Sequence, residues 1–188
     1  IPEIGFQLRS IYFSKILTSY ILPSKPKNIL DAGSGIGAYT FWLAGMFPRA
    51  VITGGDIDRH KLKSCRALAR EFRAKKVSFD YLNITKVQKK SAFDFIVTID
   101  VLEHVKDYTT ALKNFHRLLR KDGLLYVHVP QPHQMRIFRS LRGWHHEDHI
   151  REGISSKTLE FKIKKLGFNI LVSRQTFGFF GKLAWELN

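Results

Sequence analysis

The chain has 188 residues, 44% of them hydrophobic and 25% charged, which suits one domain with its own core. No apolar run approaches the roughly 20 residues of a membrane-spanning helix, and the single cysteine, Cys65, excludes an internal disulfide and fits a reducing compartment. Lys and Arg outnumber Asp and Glu by 31 to 16, a formal charge of +15, so an acidic partner such as an anionic membrane surface or a nucleic acid comes into view.

Phe6, Leu8, Ile11, Tyr12, Ile16 and Leu17 recur at helical spacing and predict a leading helix over 6–21, stopped by Pro23. With Arg9, Phe13 and Lys15 it is suited to core packing, to covering a ligand or to touching a membrane surface. After the connector 23–27, Asn28 to Asp31 reads as a short buried strand running into Asp31-Ala32-Gly33-Ser34-Gly35-Ile36-Gly37. An apolar helix over 38–46 follows, then a second strand from Ala50 to Gly54 that leads to Asp56 and Asp58. Residues 59–74 form a basic helix with Leu62, Cys65, Leu68, Ala69 and Phe72 inward, and Val77 to Tyr81 is a third strand. The fourth, Phe95 to Ile99, is nearly all apolar, as a strand buried on both faces must be. A helix over 108–120 turns Ala111, Leu112, Phe115, Leu118 and Leu119 inward, with Gly123 expected as its left-handed cap. Leu124 to Val129 is a fifth strand, 131–152 is polar, basic and rich in His, a helix over 156–166 closes on Gly167, and Phe168 to Ser173 is a sixth strand. The alternation predicts an α/β, doubly wound, mostly parallel sheet whose ligands lie at the carboxyl ends of the strands.

Glycines after a first strand permit a close backbone approach and deliver a helix amino end that can hold a negative group. Gly33, Gly35 and Ala38 also satisfy the dinucleotide pattern, so NAD must be weighed against S-adenosylmethionine. Asp31, two residues before Gly33, can meet a cationic amine, which S-adenosylmethionine carries and NAD does not. Asp56 can accept hydrogen bonds from ribose hydroxyls in either cofactor, and Asp58 is a spare acid at a helix start.

Together with the glycine loop, the segments FDFIVTIDVLEHV (93–105) and LLRKDGLLYVHVP (118–130) resemble the class I S-adenosylmethionine-dependent methyltransferases, most nearly the type 11/12 group that includes quinone-biosynthesis methyltransferases. HIREGISSKTLEFKIKKLGF (149–168) is similar to that group's last helix and strand, so the resemblance runs from about residue 28 to residue 173. It implies a Rossmann-like domain: a leading helix and connector over 1–27, a cofactor-binding core over 28–130, and an acceptor-side segment with the last helix and strand over 131–188. Asp31 and Gly33 would hold the methionine part, with Gly35 and Gly37 shaping the loop and Ala32 and Ser34 also binding the cofactor. Asp56 would bind the ribose and Ile57 would lie against the adenine. Asn83, with Ile84 beside it, falls where the group often has an Asp that meets the adenine amine. Asp100 and Val101 would flank the cofactor. S-adenosylhomocysteine would be the product. The group's antiparallel seventh strand has no room after the aromatic tail 177–188, and the chain starts at Ile1 rather than Met, so a truncated chain is expected.

Methyl transfer from a sulfonium needs positioning more than acid chemistry. For an oxygen acceptor a base is useful, and Glu103 or His104, on the loop after the fourth strand, is the candidate; the alternative is that they only brace the loop. Asp100, Glu103 and His104 are spaced i, i+3, i+4, and some relatives hold a divalent ion on such a set, with His145, His146 or His149 as the further ligand needed here; the expectation is nonetheless no metal. The segment 131–152, with His133, Arg136, Phe138, Arg139, Arg142 and Trp144, is the expected acceptor region. The function expected is methyl transfer to a small-molecule or lipid-like acceptor at O or C, by a cytoplasmic protein able to sit against a membrane. An RNA methyltransferase and a non-catalytic S-adenosylmethionine-binding protein are the alternatives; the first lacks an Asn-Pro-Pro-Tyr type motif, Asp100-Val101-Leu102-Glu103 standing in its place.

Overall fold

A computed structural model describes residues 4–88, 90–132 and 150–176. The elements, in order, are α1 (Ile4–Ile16), β1 (Asn28–Ala32), α2 (Ala38–Met46), β2 (Val51–Asp56), α3 (Arg59–Glu71), β3 (Val77–Tyr81), β4 (Phe93–Ile99), α4 (Tyr108–Leu118), β5 (Leu119–His128) and α5 (Ser156–Lys165). The five strands form one parallel sheet in the order β3-β2-β1-β4-β5. The order reverses between β1 and β4, so a crevice opens there above the carboxyl ends of the strands.

Period-two alternation sends neighbouring side chains to opposite faces and builds the core in two layers. Ile29, Phe95 and Val97 meet Phe13, Leu17, Ile21 and Leu43, from α1, the turn after it and α2. Leu30, Ala32 and Ile96 meet Ala111, Leu112, Phe115 and Leu118 of α4, with Leu159 and Ile163 of α5 packed against them. The leading helix is therefore core: Phe13 is fully buried and its ring lies 4.4 Å from Tyr126 and 5.3 Å from Trp42. It ends in a wider π turn, Leu17–Ile21, and a 3-10 turn that holds Pro23.

Three sequence expectations are corrected. Phe168 to Ser173 is irregular rather than a sixth strand, so β5 is the sheet edge among the described residues. Gly123 is not a left-handed helix cap: α4 stops at Leu118, the chain enters β5 at once, and the left-handed residue is Asp122 at φ 62°. Phe72 is exposed rather than inward, because α3 ends at Glu71 and its ring rests edge-on against Phe41. Gly167, by contrast, is left-handed at φ 92° and closes α5, with the Phe168 amide donating to the Ile163 carbonyl. The segment 133–149, with all its expected acceptor-side residues, and the tail 177–188 lie outside the described residues.

Candidate functional site

The glycine loop is stapled to β2. The amides of Gly33 and Ser34 both donate to the Gly55 carbonyl, at 2.7 and 3.1 Å, and Gly37 donates to Ser34 at 2.8 Å. Gly33 holds φ 87°, and a side chain there would overlap the methyls of Val101. The loop and the β4 end thus touch through a contact that only glycine allows. Gly35 is also left-handed, at φ 53°, and faces open space. Its amide donates to Asp56 Oδ2 at 2.8 Å, while the amide of Asp58 donates to Oδ1 at 2.9 Å. Asp56 is therefore fixed at both oxygens, each of which keeps a further lone pair for a donor such as a ribose hydroxyl.

Asp31 shares the strand face of Ile29 and so points toward α2, where the Thr40 hydroxyl donates to Oδ2 at 2.6 Å. Burial pushes its carboxyl up to about 6, against the Thr40 bond and helped by the charge of Asp56. A cation placed here would return it to a carboxylate. Ala32 is fully buried at the strand end. Ile57 is 64% exposed and Ile36 74% exposed, two apolar side chains presented above the strand ends. The Ser34 hydroxyl is buried with no hydrogen-bond partner. An orphaned hydroxyl, a pinned acid and bare apolar side chains beside a glycine loop fit a ligand with polar, ribose and flat ring parts.

The structure does not bring every expected residue to this cleft. Asn83 turns its Oδ1 onto Thr85, accepting from the amide at 3.0 Å and the hydroxyl at 2.7 Å, so the acceptor expected for an adenine amine is spent and an NH2 donor remains. Ile84 packs in the core beneath α4, where its carbonyl accepts from Asn114 at 2.8 Å. Asp100 has both oxygens engaged by side chains: Oδ1 meets His128 Nδ1 at 2.7 Å and Oδ2 meets Arg9 Nε at 3.2 Å.

Glu103 and His104 part company. Both lie on a 3-10 turn, Leu102–His104, but Glu103 is fully buried with neither oxygen partnered, and His104 is exposed. Burial pushes Glu103 up to about 7, with the charge of Asp100 adding to the rise and Arg9 and Arg151 opposing it. The turn is held by Arg151, whose guanidinium donates to the carbonyls of Leu102, Val105 and Lys106 at 2.8, 2.7 and 3.0 Å and stacks on Tyr108. Among the described residues, no group of three His, Cys, Asp or Glu could hold a metal.

Sequence reasoning passed over Thr40, His128 and Arg151. A hydroxyl on the first turns of the helix after a strand acid was a usable signal for Thr40. Nothing local marked the other two, whose partners lie 28 and 49 residues away.

Arg66, Arg70, Arg73 and Lys75 line a groove beside the edge strand β3, away from the crevice. Eight Lys and Arg residues lie between Arg59 and Lys76, on and after α3.

Comparison with known proteins agrees with this geometry. A family profile described as a methyltransferase domain matches residues 8–173. The (S)-coclaurine N-methyltransferase of Papaver somniferum is 28% identical over 101 residues, covering 54% of this chain and 29% of that protein. The O-methyltransferase resE of Aspergillus sclerotiorum is 27% identical over 157 residues, covering 79% of this chain and 57% of that protein. The chain thus spans between a quarter and somewhat over half of the length of the curated relatives it matches. Phosphoethanolamine N-methyltransferase 2 of Haemonchus contortus, solved in complex with S-adenosyl-L-methionine, superposes with a TM-score of 0.65 at 20% identity, over 76% of this chain and 33% of that one.

Proposed function

The chain belongs to the class I S-adenosylmethionine-dependent methyltransferase family, and from that premise we propose that it transfers the donor's methyl group to a small-molecule or lipid-like acceptor, at oxygen or carbon. The observation that carries the reading is the set at the β1 and β2 ends: Asp56 pinned by two amides, the orphaned Ser34 hydroxyl and the bare Ile57 side chain. Asp56 would take the ribose hydroxyls, Ile57 the adenine face, and Asp31 the α-ammonium through the polar wall it shares with Thr40. Bound there, S-adenosylmethionine supplies an electrophilic methyl on a sulfonium. The protein's part is to hold the acceptor in line with it.

Val101 packs on Gly33, so the acceptor side begins where the cofactor loop ends. Glu103, buried in the turn Leu102–His104, would brace that turn rather than touch the acceptor. Calorimetry tests the reading: intact protein binds S-adenosylmethionine, and Asp56→Ala weakens binding at least about tenfold, the loss of charge-assisted hydrogen bonds. No binding by the intact protein defeats it.

The basic groove beside β3 favours, as a second element, an anionic membrane surface that presents a lipid-like acceptor. Sedimentation with phosphatidylglycerol vesicles, lost at high salt and absent with phosphatidylcholine alone, is the expected outcome; equal binding to both vesicles refutes it.

A further inference from the structure

We propose that His128, oriented by Asp100, takes the proton from a hydroxyl acceptor, which makes the methylated atom an oxygen; this rests on the methyl-transfer reading above. His128 is the last residue of β5 and pairs with Ile99 at the end of β4. Asp100, the next residue, holds a left-handed backbone at φ 53°, a strained state for a residue other than glycine. Bonds to His128 hold it there. Its amide donates to the His128 carbonyl at 3.1 Å, and its carboxylate meets His128 Nδ1 at 2.7 Å. Arg9 takes the other oxygen at 3.2 Å, so the carboxylate is fixed at both ends.

A carboxylate can only accept, so Nδ1 carries a proton, and in the neutral form of the ring the lone pair lies on Nε2. That nitrogen lies 3.3 Å from the hydroxyl of Thr176. The position beside Nε2 therefore accommodates a hydroxyl that donates to it, and an acceptor's hydroxyl can take the place of Thr176. The site is also in the right part of the sheet. With the donor over β1 and β2, the next strand ends outward are those of β4 and β5, where Asp100 and His128 stand. Glu103 is sealed within its turn and does not present an oxygen to this position.

The step balances. The acceptor oxygen forms its bond to the methyl carbon, the carbon–sulfur bond breaks with its electron pair going to sulfur, and the hydroxyl proton passes to Nε2. One positive charge leaves the sulfonium and one arrives on the imidazolium, beside the carboxylate of Asp100.

The decisive variant is His128→Asn, which keeps a side-chain N–H for Asp100 and removes the base. The substrates are phenols of graded acidity, from alkylphenols to dinitrophenols. For the weakly acidic phenols kcat falls by about 10² to 10⁴-fold, and for dinitrophenols, already ionised at neutral pH, by less than about tenfold, with S-adenosylmethionine affinity unchanged. A loss that is uniform across the series overturns the proposal, and so does turnover of no phenol by protein that binds S-adenosylmethionine. Failure of the wild type to bind S-adenosylmethionine defeats instead the methyl-transfer reading. Independently of any variant, nitrogen NMR of the wild-type imidazole bound to S-adenosylhomocysteine shows the Nδ1–H tautomer of His128; an Nε2–H tautomer overturns the proposal.

Discussion

The two halves of the crevice are built by opposite means. On the glycine-loop side the controlling contacts are short in sequence: Thr40 to Asp31 spans 9 residues, Gly35 to Asp56 spans 21, and Asp58 to Asp56 spans 2. On the β4–β5 side they are long: His128 to Asp100 spans 28, Arg151 to Leu102 spans 49, and Arg9 reaches Asp100 from the first helix. A site made of local contacts forms whenever its strand-loop-helix unit forms. A site made of distant ones exists only when the whole domain is packed, and its parts answer to mutations far away. On the proposed reading the first half serves the cofactor and the second the acceptor.

The sharpest way to break this division is at a place where the halves touch, Gly33 against Val101. Gly33→Val drives a branched side chain into the methyls of Val101 and forces it to φ 87°. Overpacking and strain each cost on the order of 1–3 kcal/mol, so the variant loses about 3–5 kcal/mol of stability, with S-adenosylmethionine binding lost as well. Adding Val101→Ala restores only the packing share. Urea unfolding of the two variants reads the coupling, and simple additivity refutes the contact as the cause.

Glu103→Gln separates the halves by pH. In the native state this acid is raised from 4.5 to about 7, so between those values the folded protein holds more protons than the unfolded one and stability falls as pH rises. The wild type loses on the order of 3 kcal/mol across that window from this residue alone. The glutamine variant does not, and above pH 7 it is the more stable protein. Asp31, raised to about 6, gives a similar slope over a lower window on the other side of the crevice, and Glu103→Gln leaves that part in place. Urea midpoints at pH 4.5 and 8 settle the matter: an identical pH slope in variant and wild type removes the assignment.

Arg151→Met removes donors from three carbonyls at the turn and costs about 2 kcal/mol. The turn loosens while the glycine loop keeps its own bonds. Methyl transfer therefore slows by about tenfold, with S-adenosylmethionine affinity unchanged. An equal loss in both would show that the halves are one unit.

The same division explains what could be read from the sequence. The sheet, its order of elements and the acids at the β1 and β2 ends follow from apolar runs, glycines and spacing, all local signals. The sixth strand was read from an apolar stretch, Phe168 to Ser173, that has the composition of a strand but does not pair with β5. Gly123 carries the signal of a helix cap, yet β5 begins at Leu119 and β4 pairs with it from Phe93, so sheet pairing overrides the local preference. His128 reads as one more residue of a strand until the register sets it against Ile99 and Asp100. Glu103 and His104 are adjacent in sequence, and only the fold shows that one faces the core and the other solvent.

The smallest effect tests which acids at the end of β2 belong to the ligand. Asp58 caps α3, its carboxylate accepting from the amides of His60 and Lys61 at 2.9 and 3.1 Å. Asp58→Ala removes the cap and lowers stability slightly, visible as a small shift of the urea midpoint. Both bonds that orient Asp56 come from main-chain amides, of Gly35 and of residue 58, and alanine at 58 retains them. S-adenosylmethionine affinity therefore stays within about twofold, against at least about tenfold lost in Asp56→Ala. A large loss of affinity in Asp58→Ala would move the ribose contact from Asp56 to Asp58 and make the cap the secondary role.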